Sequence, residues 1–200
     1  MHYPDDSLRI TASGRWTTLY TLEEISAHLE IRDVLQRYCR GCDRRDPELL
    51  KSVYFPDAVD IRAYDAPDAT PAEFAQRLVD GFGDLPEFSQ HHITNVIIDL
   101  DLEAGVANVE TYNLVMHPVG PQTSLVLRPE DSGTHLRIMG GRALDRFERR
   151  DGEWRIARRV MLIDWSRDDL PGNPVWTTIK QGLRPGGPGT DPSYAHFQGT

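Results

Sequence analysis

The chain has 200 residues, of which 39% are hydrophobic, and it carries a formal net charge of −9. This length predicts one domain with tails, or at most two small domains. The acidic balance argues against nucleic acid and anionic membranes as partners, because both attract basic surfaces. No apolar run approaches the roughly 20 residues that a membrane-spanning helix needs, and no signal peptide is visible. We therefore expect a cytoplasmic protein.

The first predicted helix follows a polar N-terminal arm, residues 1–20. Thr21 is a typical helix N-cap, and Glu24 completes a capping box three residues later. The helix is predicted to end near Asp43, and Tyr38 falls within its apolar stripe. Asp43 lies at the edge of that stripe, where a carboxylate can face a cavity without sitting among packed aliphatic side chains.

Two further helices are predicted from N-cap and proline signals. Asp46 and Pro47 begin the second helix, which is expected to end at residues 54–58. Residues 70–73, with the sequence Thr-Pro-Ala-Glu, begin the third helix with a capping box. Between these helices, the alternating residues 59–64 predict a short strand.

The second half of the chain has the two-residue period of strands. Residues 89–100 predict a strand that a turn at 101–105 joins to a second strand at 106–116. Another hairpin is predicted around residues 151–152, because Asp-Gly between alternating runs favours a tight turn. Residues 118–136 predict a long loop between the two hairpins, of the kind often used as a functional lid.

This order of elements predicts an α+β domain over residues 21–166, followed by an extended Gly- and Pro-rich tail at 167–200. We expect a curved, mostly antiparallel sheet with three helices packed over it. A curved sheet that helices close at one end forms a cone-shaped α+β barrel, and the interior of such a cone is a pocket.

The strand at 89–100 carries candidate base chemistry. Alternation places His91 and Asn95 on one face and His92 on the other. An imidazole can take a proton near neutral pH, and a carboxylate on its other ring nitrogen stabilises the imidazolium that forms. We therefore pair His91 with Asp43 as a candidate dyad. The alternatives are His92, if the strand register is opposite, or a structural histidine beside a helix-ending aspartate.

Five local patterns follow one another along roughly residues 20–166. They are Tyr38-x-x-x-x-Asp43-x-x-Asp46, residues 55–58, His91-x-x-x-Asn95, residues 141–147 and residues 151–156. In this order the patterns resemble the SnoaL-like branch of the nuclear transport factor 2-like superfamily. That branch includes scytalone dehydratase, hexachlorocyclohexane dehydrochlorinase and bile-acid 7α-dehydratase. The order and spacing are more specific for the fold than for the reaction.

The resemblance implies a base dyad between an aspartate near the end of the first helix and a histidine on a sheet strand. Asp43 and His91 occupy these positions here. It also implies dimers or trimers. Family members often have a tyrosine where Ala143 stands in this chain, so details of substrate contact are not carried over. The superfamily includes cyclases, isomerases and non-catalytic proteins, and the fold alone does not determine function.

Other polar residues are candidates for contacting a substrate. The phenols of Tyr38 and Tyr54 are suited to stabilising a developing enolate, although Tyr38 equally suits the core. Asn95 is a candidate for holding the substrate or the catalytic histidine, or for cross-strand bonding. Arg142 is a candidate for stabilising a leaving anion, whereas most nearby arginines are interpreted as solvated. His117, at the mouth of the long loop, is either a second catalytic histidine or an exposed one.

Cys39 and Cys42 have C-x-x-C spacing at a helix end. We interpret them as structural, because a zinc site needs two more ligands and a redox motif precedes a helix in a βαβ unit. The adjacent His91 and His92 point to opposite faces of a strand and do not suggest a metal site. The sequence therefore predicts neither a metal nor a cofactor.

Together these patterns predict a cofactor-free lyase, most simply a dehydratase, that acts on a small apolar cyclic or polyketide- or steroid-like substrate. An isomerase or polyketide cyclase with the same base is one alternative, and a non-catalytic small-molecule binding or assembly protein is another. The expected partners are a small hydrophobic substrate and further copies of the chain. The catalytic candidates are His91, Asp43 and Tyr38, and the substrate-binding candidates are Tyr54, Asn95, Arg142 and His117.

Overall fold

The computed structural model describes residues 8–10, 16–18, 20–62, 68–82, 89–119, 135–169, 186–188 and 190–198. The helices are α1 (Leu22–Asp43), α2 (Pro47–Ser52), α3 (Pro71–Phe82) and α4 (Pro192–Gln198). The strands are β1 (Leu8–Ile10), β2 (Trp16–Thr18), β3 (Tyr54–Arg62), β4 (Gln90–Asp101), β5 (Val106–Val119), β6 (His135–Arg150) and β7 (Glu153–Asp169).

Five of these strands form a curved open sheet in the order β3-β7-β6-β5-β4. β3 is parallel to β7, and all other neighbours in this sheet are antiparallel. β1 and β2 form a separate antiparallel pair. Register shifts occur in the β3–β7, β4–β5 and β6–β7 pairs, and bulges of this kind bend the strands that carry them. The predicted α+β cone is confirmed.

The helix starts follow the capping signals of the sequence. The Thr21 backbone N–H donates to Glu24 Oε2 at 2.7 Å, and the Glu24 N–H donates to Thr21 Oγ1 at 3.2 Å. Asp46 Oδ1 accepts from the Leu49 N–H at 3.0 Å. Each of these bonds satisfies an N–H that the first turn of a helix leaves without an intrahelical partner. The predicted N-caps of α1 and α2 are therefore confirmed.

The core lies between α1 and the inner face of the sheet. Ile31 of α1, Phe147 of β6 and Ile156 of β7 are fully buried there. Burial of each such side chain stabilises the fold by roughly 1.5–3 kcal/mol. The tight turn after β6 is also confirmed, because Asp151 and Gly152 both have positive φ, at 53° and 84°. No helix in the described part of the chain is long and apolar enough to cross a membrane.

Several predicted element boundaries were wrong. Residues 54–58 belong to β3 and do not end α2, because Tyr54 already pairs with Ile156 of β7. β7 continues to Asp169 and so crosses the predicted domain boundary at residue 166. The tail expected to be extended contains the helix α4. Most of the predicted loop, residues 120–134, lies outside the described residues.

Candidate active site

Asp43 and His91 meet where the end of α1 lies over the start of β4. Asp43 Oδ1 is 2.6 Å from His91 Nδ1, and Asp43 Oδ2 accepts the backbone N–H of His91 at 3.1 Å. Both side chains are mostly buried, at 16% and 17% exposure. When Nδ1 donates to the carboxylate, Nε2 of the neutral ring is left as a proton acceptor. The arrangement can therefore act as an oriented base.

The register of β4 places His91, and not His92, beside Asp43. His91 lies opposite Val115 of β5, which is buried on the inner face of the sheet. His92 lies opposite Leu114 and is exposed. Alternation of side chains along the strand is the physical reason for this difference.

Asn95 does not share the face of His91, contrary to the prediction. A β-bulge between Ile93 and Val96 sets two residues of β4 against one residue of β5. Ile93 and Val96 both pack against the core, whereas Asn95 is exposed. The bulge breaks the alternation from which the position of Asn95 was predicted.

Tyr38 lies between the dyad and two buried arginines. Its ring is edge-to-face with the His91 ring, with centroids 6.5 Å apart. Arg62 Nη2 donates to the Tyr38 hydroxyl at 3.2 Å, and the Arg159 guanidinium lies 3.9 Å from the ring centroid. Burial raises the pKa of Tyr38 far above its usual value. The phenol is therefore neutral and retains a proton that it can donate.

Tyr54 is fully buried, and its hydroxyl donates to Asp60 Oδ2 at 2.7 Å. Asp60 also accepts from both Nε and Nη2 of Arg62, the latter at 2.9 Å. Burial raises the pKa of Tyr54 well above its usual value. The Tyr54 hydroxyl was predicted to donate to a substrate, but its proton is already bound by Asp60.

Arg159 is a buried cation of the cone that the sequence analysis did not single out. It is 1% exposed and forms a bidentate pair with Asp145, with both N–O distances at 2.7 Å. Burial lowers the pKa of Arg159, but the Asp145 carboxylate together with the nearby Tyr54 and Tyr38 more than offsets this effect, so the pKa lies well above its usual value. Its Nη1 has no hydrogen-bond partner among the residues that the structure describes.

A register shift explains why Arg159 faces inward. Alternation from the buried Ile156 predicts that Arg158 would point into the cone, but a shift next to Phe147 turns Arg159 inward and leaves Arg158 exposed. One feature of the sequence does indicate a buried cation in the cone. Asp145 falls on the inward face of β6, and a buried carboxylate there requires a cationic partner.

His117 is buried on the inner face of β5 and does not lie in a loop. It is 4% exposed and lies two residues beyond Val115, the partner of His91. Diagonal neighbours of this kind are about 7–8 Å apart. Burial, followed by the nearby His91 and Arg137, lowers the pKa of His117 to about 3. His117 is therefore a neutral imidazole within the cone.

Arg142 lies on the outer face of the sheet, away from the candidate dyad. It donates to both oxygens of Asp164 at 3.0 Å and lies 3.4 Å from Glu110. Its neighbour Ala143 is the residue that points inward. The assignment of Arg142 to a leaving anion in the cone was therefore wrong, because strand alternation turns its guanidinium outward.

Cys39 and Cys42 are buried free thiols. Burial raises the pKa of Cys39 to about 12, and it also raises the pKa of Cys42. Neither thiol is activated as a nucleophile.

A groove of about 430 Å³ reaches the dyad from the protein surface. Asp43 and His91 line it together with Gln36, Cys39, Arg40, Arg44, His92 and Ile93. The residues of α1 that line the groove recur at spacings of three or four positions. The groove therefore follows one side of α1.

The cone-shaped sheet with helices over it defines a protein of the nuclear transport factor 2-like superfamily. The sequence matches the SnoaL-like domain over residues 23–160, and the chain belongs to this family. No functionally curated protein matches the chain.

Solved structures with the same fold include enzymes named for elimination reactions. One is a provisionally named scytalone dehydratase from Novosphingobium aromaticivorans DSM 12444, with 21% identity, a TM-score of 0.58, and coverage of 84% of this chain and 96% of that chain. Another is the hexachlorocyclohexane dehydrochlorinase LinA-type3 from Novosphingobium barchaimii LL02, with 17% identity, a TM-score of 0.61, and coverage of 76% and 99%. At these identities the likeness shows the fold.

Proposed function

We propose that the protein is a cofactor-free lyase that eliminates a leaving group from a small apolar cyclic substrate. The observation that carries this proposal is the double contact between Asp43 and His91, in which one carboxylate orients both the ring and the backbone of the base. The named activities of the dehydratase and dehydrochlorinase structures with this fold support the reaction class.

The proposed step is a β-elimination. Nε2 of His91 takes a proton from a carbon next to a carbonyl, and the released electron pair forms a carbon–carbon double bond. The leaving group departs with its electrons from the β carbon, either as hydroxide that takes the proton from the His91 imidazolium and leaves as water, or as a halide, in which case the imidazolium proton passes to solvent. Asp43 stabilises the imidazolium that forms at His91.

Neutral donors beside the base would stabilise charge that develops on the substrate. Tyr38 and His117 are both buried and uncharged, so each can donate a hydrogen bond to an enolate oxygen without adding charge to the cone. Arg159 supplies a buried positive charge with one unpaired N–H group, Nη1, among the described residues. A guanidinium of this kind stabilises an anion that leaves, and this favours elimination over isomerisation.

The rival hypothesis of a non-catalytic binding protein predicts that Asp43 and His91 lie apart, or that side chains fill the pocket. Their contact of 2.6 Å argues against the first form of that rival, and the open groove beside them argues against the second. An isomerase or cyclase would use the same base but would return the proton or join two carbons, and neither reaction needs a site for a leaving anion.

We also infer that the protein is a homo-oligomer that assembles through the outer face of its sheet. The described strands expose large apolar side chains on that face, and such exposed groups favour association. They include Val59, Ile97, Tyr112, Leu144 and Trp165. Light scattering should show an oligomer that Trp165→Glu dissociates and that Leu22→Glu, at a more exposed position on α1, does not. A monomeric wild-type chain would contradict this inference.

The proposed reaction can be tested once a substrate is in hand. Mass spectrometry of any small molecule that co-purifies with the chain would define the scaffold, and β-hydroxy ketones on that scaffold would then be offered to the enzyme. Elimination produces a conjugated ketone that absorbs in the ultraviolet. Asp43→Asn should lower the rate of its formation by about 10²-fold or more. An unchanged rate in this variant would overturn the mechanism.

A further inference from the structure

The described C-terminal residues, 186–188 and 190–198, fold back onto the end of α1. The Tyr194 hydroxyl donates to Asp46 Oδ2 at 2.6 Å, across 148 positions of the sequence. Asp46 Oδ1 already caps α2 through the Leu49 N–H. One carboxylate therefore joins the start of α2 to α4, directly beyond the helix end that carries Asp43.

Two arginines hold the same segment, Arg40 on the last turn of α1 and Arg44 at its C-cap. The Arg40 guanidinium lies 4.8 Å from the ring centroid of Tyr194 and 5.2 Å from that of Phe197. Arg44 Nε lies 3.1 Å from Asp191 Oδ2. Cation–π contacts and partly buried ion pairs of this kind are each favourable, so the segment is attached at several points.

Asp191 organises the turn that brings α4 to this position. It is 6% exposed, and its carboxylate accepts from the Gly186 N–H at 3.2 Å, from the Ser193 N–H at 3.0 Å and from the Ser193 hydroxyl. The chain passes so close to α1 that a Cβ on Gly187 would lie 3.1 Å from the Arg44 carbonyl oxygen. The backbones of the C-terminal segment and of the end of α1 are therefore in close contact.

Arg40 and Arg44, which hold the C-terminal segment, lie close to the carboxylate of Asp43. Asp43 lies between Arg40 and Arg44 in the sequence, and all three residues line the groove that reaches His91. Asp43 is also the last residue of α1, and helix ends fray unless other groups hold them. Without the docked segment, the last turn of α1 has fewer contacts to keep Asp43 against His91.

We propose that residues 190–198 are a positioning element for the dyad, and that Tyr194 and Asp191 hold Asp43 in place through the end of α1. The importance of this element for catalysis rests on the proposed function, but its effect on Asp43 does not. Tyr194 and Asp191 contact no reacting atom in this account. They act through Asp46 and Arg44.

Amide hydrogen exchange of the full-length chain, followed by NMR, tests the proposal without a substrate. The informative proton is the His91 backbone N–H, because it donates to Asp43. In Tyr194→Phe and in Asp191→Asn, its exchange should accelerate roughly tenfold, the effect of losing one charge-assisted hydrogen bond in the first variant and the ion pair with Arg44 in the second. The Ile156 N–H, which donates to the Val53 carbonyl at 3.0 Å, should exchange at the wild-type rate.

Tyr112→Phe is the matched control, because it removes a hydroxyl from the outer face of the sheet, remote from α4. It should leave the His91 amide unchanged. Wild-type exchange at His91 in both tail variants would overturn the proposal, and so would an equal acceleration at His91 and Ile156, which would indicate a general loss of stability. A selective effect at His91 in a chain that catalyses no elimination would overturn the proposed function and leave this inference standing.

Discussion

Asp43 accepts two hydrogen bonds from His91, one from the ring and one from the backbone. The two residues are 48 positions apart, and one ends a helix while the other begins a strand. A carboxylate held in this way stabilises one tautomer and one orientation of the imidazole. The following predictions concern the groups around this pair.

Tyr38→Phe should lower the elimination rate by about 10–100-fold while leaving the fold intact. The ring keeps its packing against Phe74 and His91, but the variant loses the hydroxyl that would stabilise an enolate. Steady-state kinetics and thermal unfolding would be measured on the same preparation. A wild-type rate in this variant would place the substrate oxygen elsewhere in the cone.

Tyr54→Phe should lower the stability of the protein while leaving the elimination rate nearly unchanged. Its hydroxyl donates to the buried Asp60, so its removal should lower the free energy of unfolding by roughly 1–3 kcal/mol. The elimination rate of the folded enzyme should change little, because this hydroxyl proton does not reach the substrate. Urea unfolding and kinetics on the folded fraction would check both expectations. A catalytic loss as large as that of Tyr38→Phe would contradict them.

Asp145→Asn should destabilise the protein strongly. Arg159 and Asp145 are almost fully buried, and removing one partner of a buried ion pair costs about 3–5 kcal/mol. Glu153→Gln is the matched control, because Glu153 pairs with Arg155 at the surface, where such pairs contribute about 0–1 kcal/mol. Equal effects of the two variants in urea unfolding would refute the assignment of Arg159 to the cone interior.

His117 should make the protein less stable as the pH falls. Its pKa is about 3 in the folded chain and near 6.5 in the unfolded chain, so below pH 6.5 the unfolded state binds the extra proton. At pH 5 this linkage lowers the free energy of unfolding by about 2 kcal/mol relative to pH 7.

His117→Gln should remove that part of the pH dependence, and urea unfolding of both proteins at pH 7 and pH 5 would measure it. His92→Gln, at an exposed position of β4, serves as the control. If the wild type and His117→Gln lose the same free energy between the two pH values, His117 is not a buried neutral imidazole.

Local signals in the sequence predicted much of the fold. The capping box at Thr21 and the Asp-Gly turn at 151–152 act within a few residues, so their consequences follow from the local sequence. Two errors about side-chain direction lie at register shifts. One bulge exposes Asn95, and another shift turns Arg159 into the cone. The error at Arg142 differs, because regular alternation along β6 turns that side chain outward. Alternation cannot anticipate a bulge, because a bulge depends on pairing with a distant strand.

The contact between the C-terminal segment and the end of α1 also could not be predicted from the sequence. Tyr194 and Asp46 are joined by a single non-local hydrogen bond, and no periodic pattern links a Gly- and Pro-rich tail to the end of the first helix. The dyad was accessible for a different reason. Helical spacing located Asp43, strand alternation located His91 before the bulge begins, and the resemblance to SnoaL-like proteins supplied a reason to pair them.

The most direct test of the account compares His91→Gln with His92→Gln. The two variants remove adjacent imidazoles of the same strand, and only His91 contacts Asp43. On a substrate that the wild-type enzyme converts, the rate of conjugated-ketone formation should fall by about 10²–10⁴-fold in His91→Gln and stay near the wild-type rate in His92→Gln. Retention of activity in His91→Gln, or an equal loss in both variants, would contradict the assignment of His91 as the base.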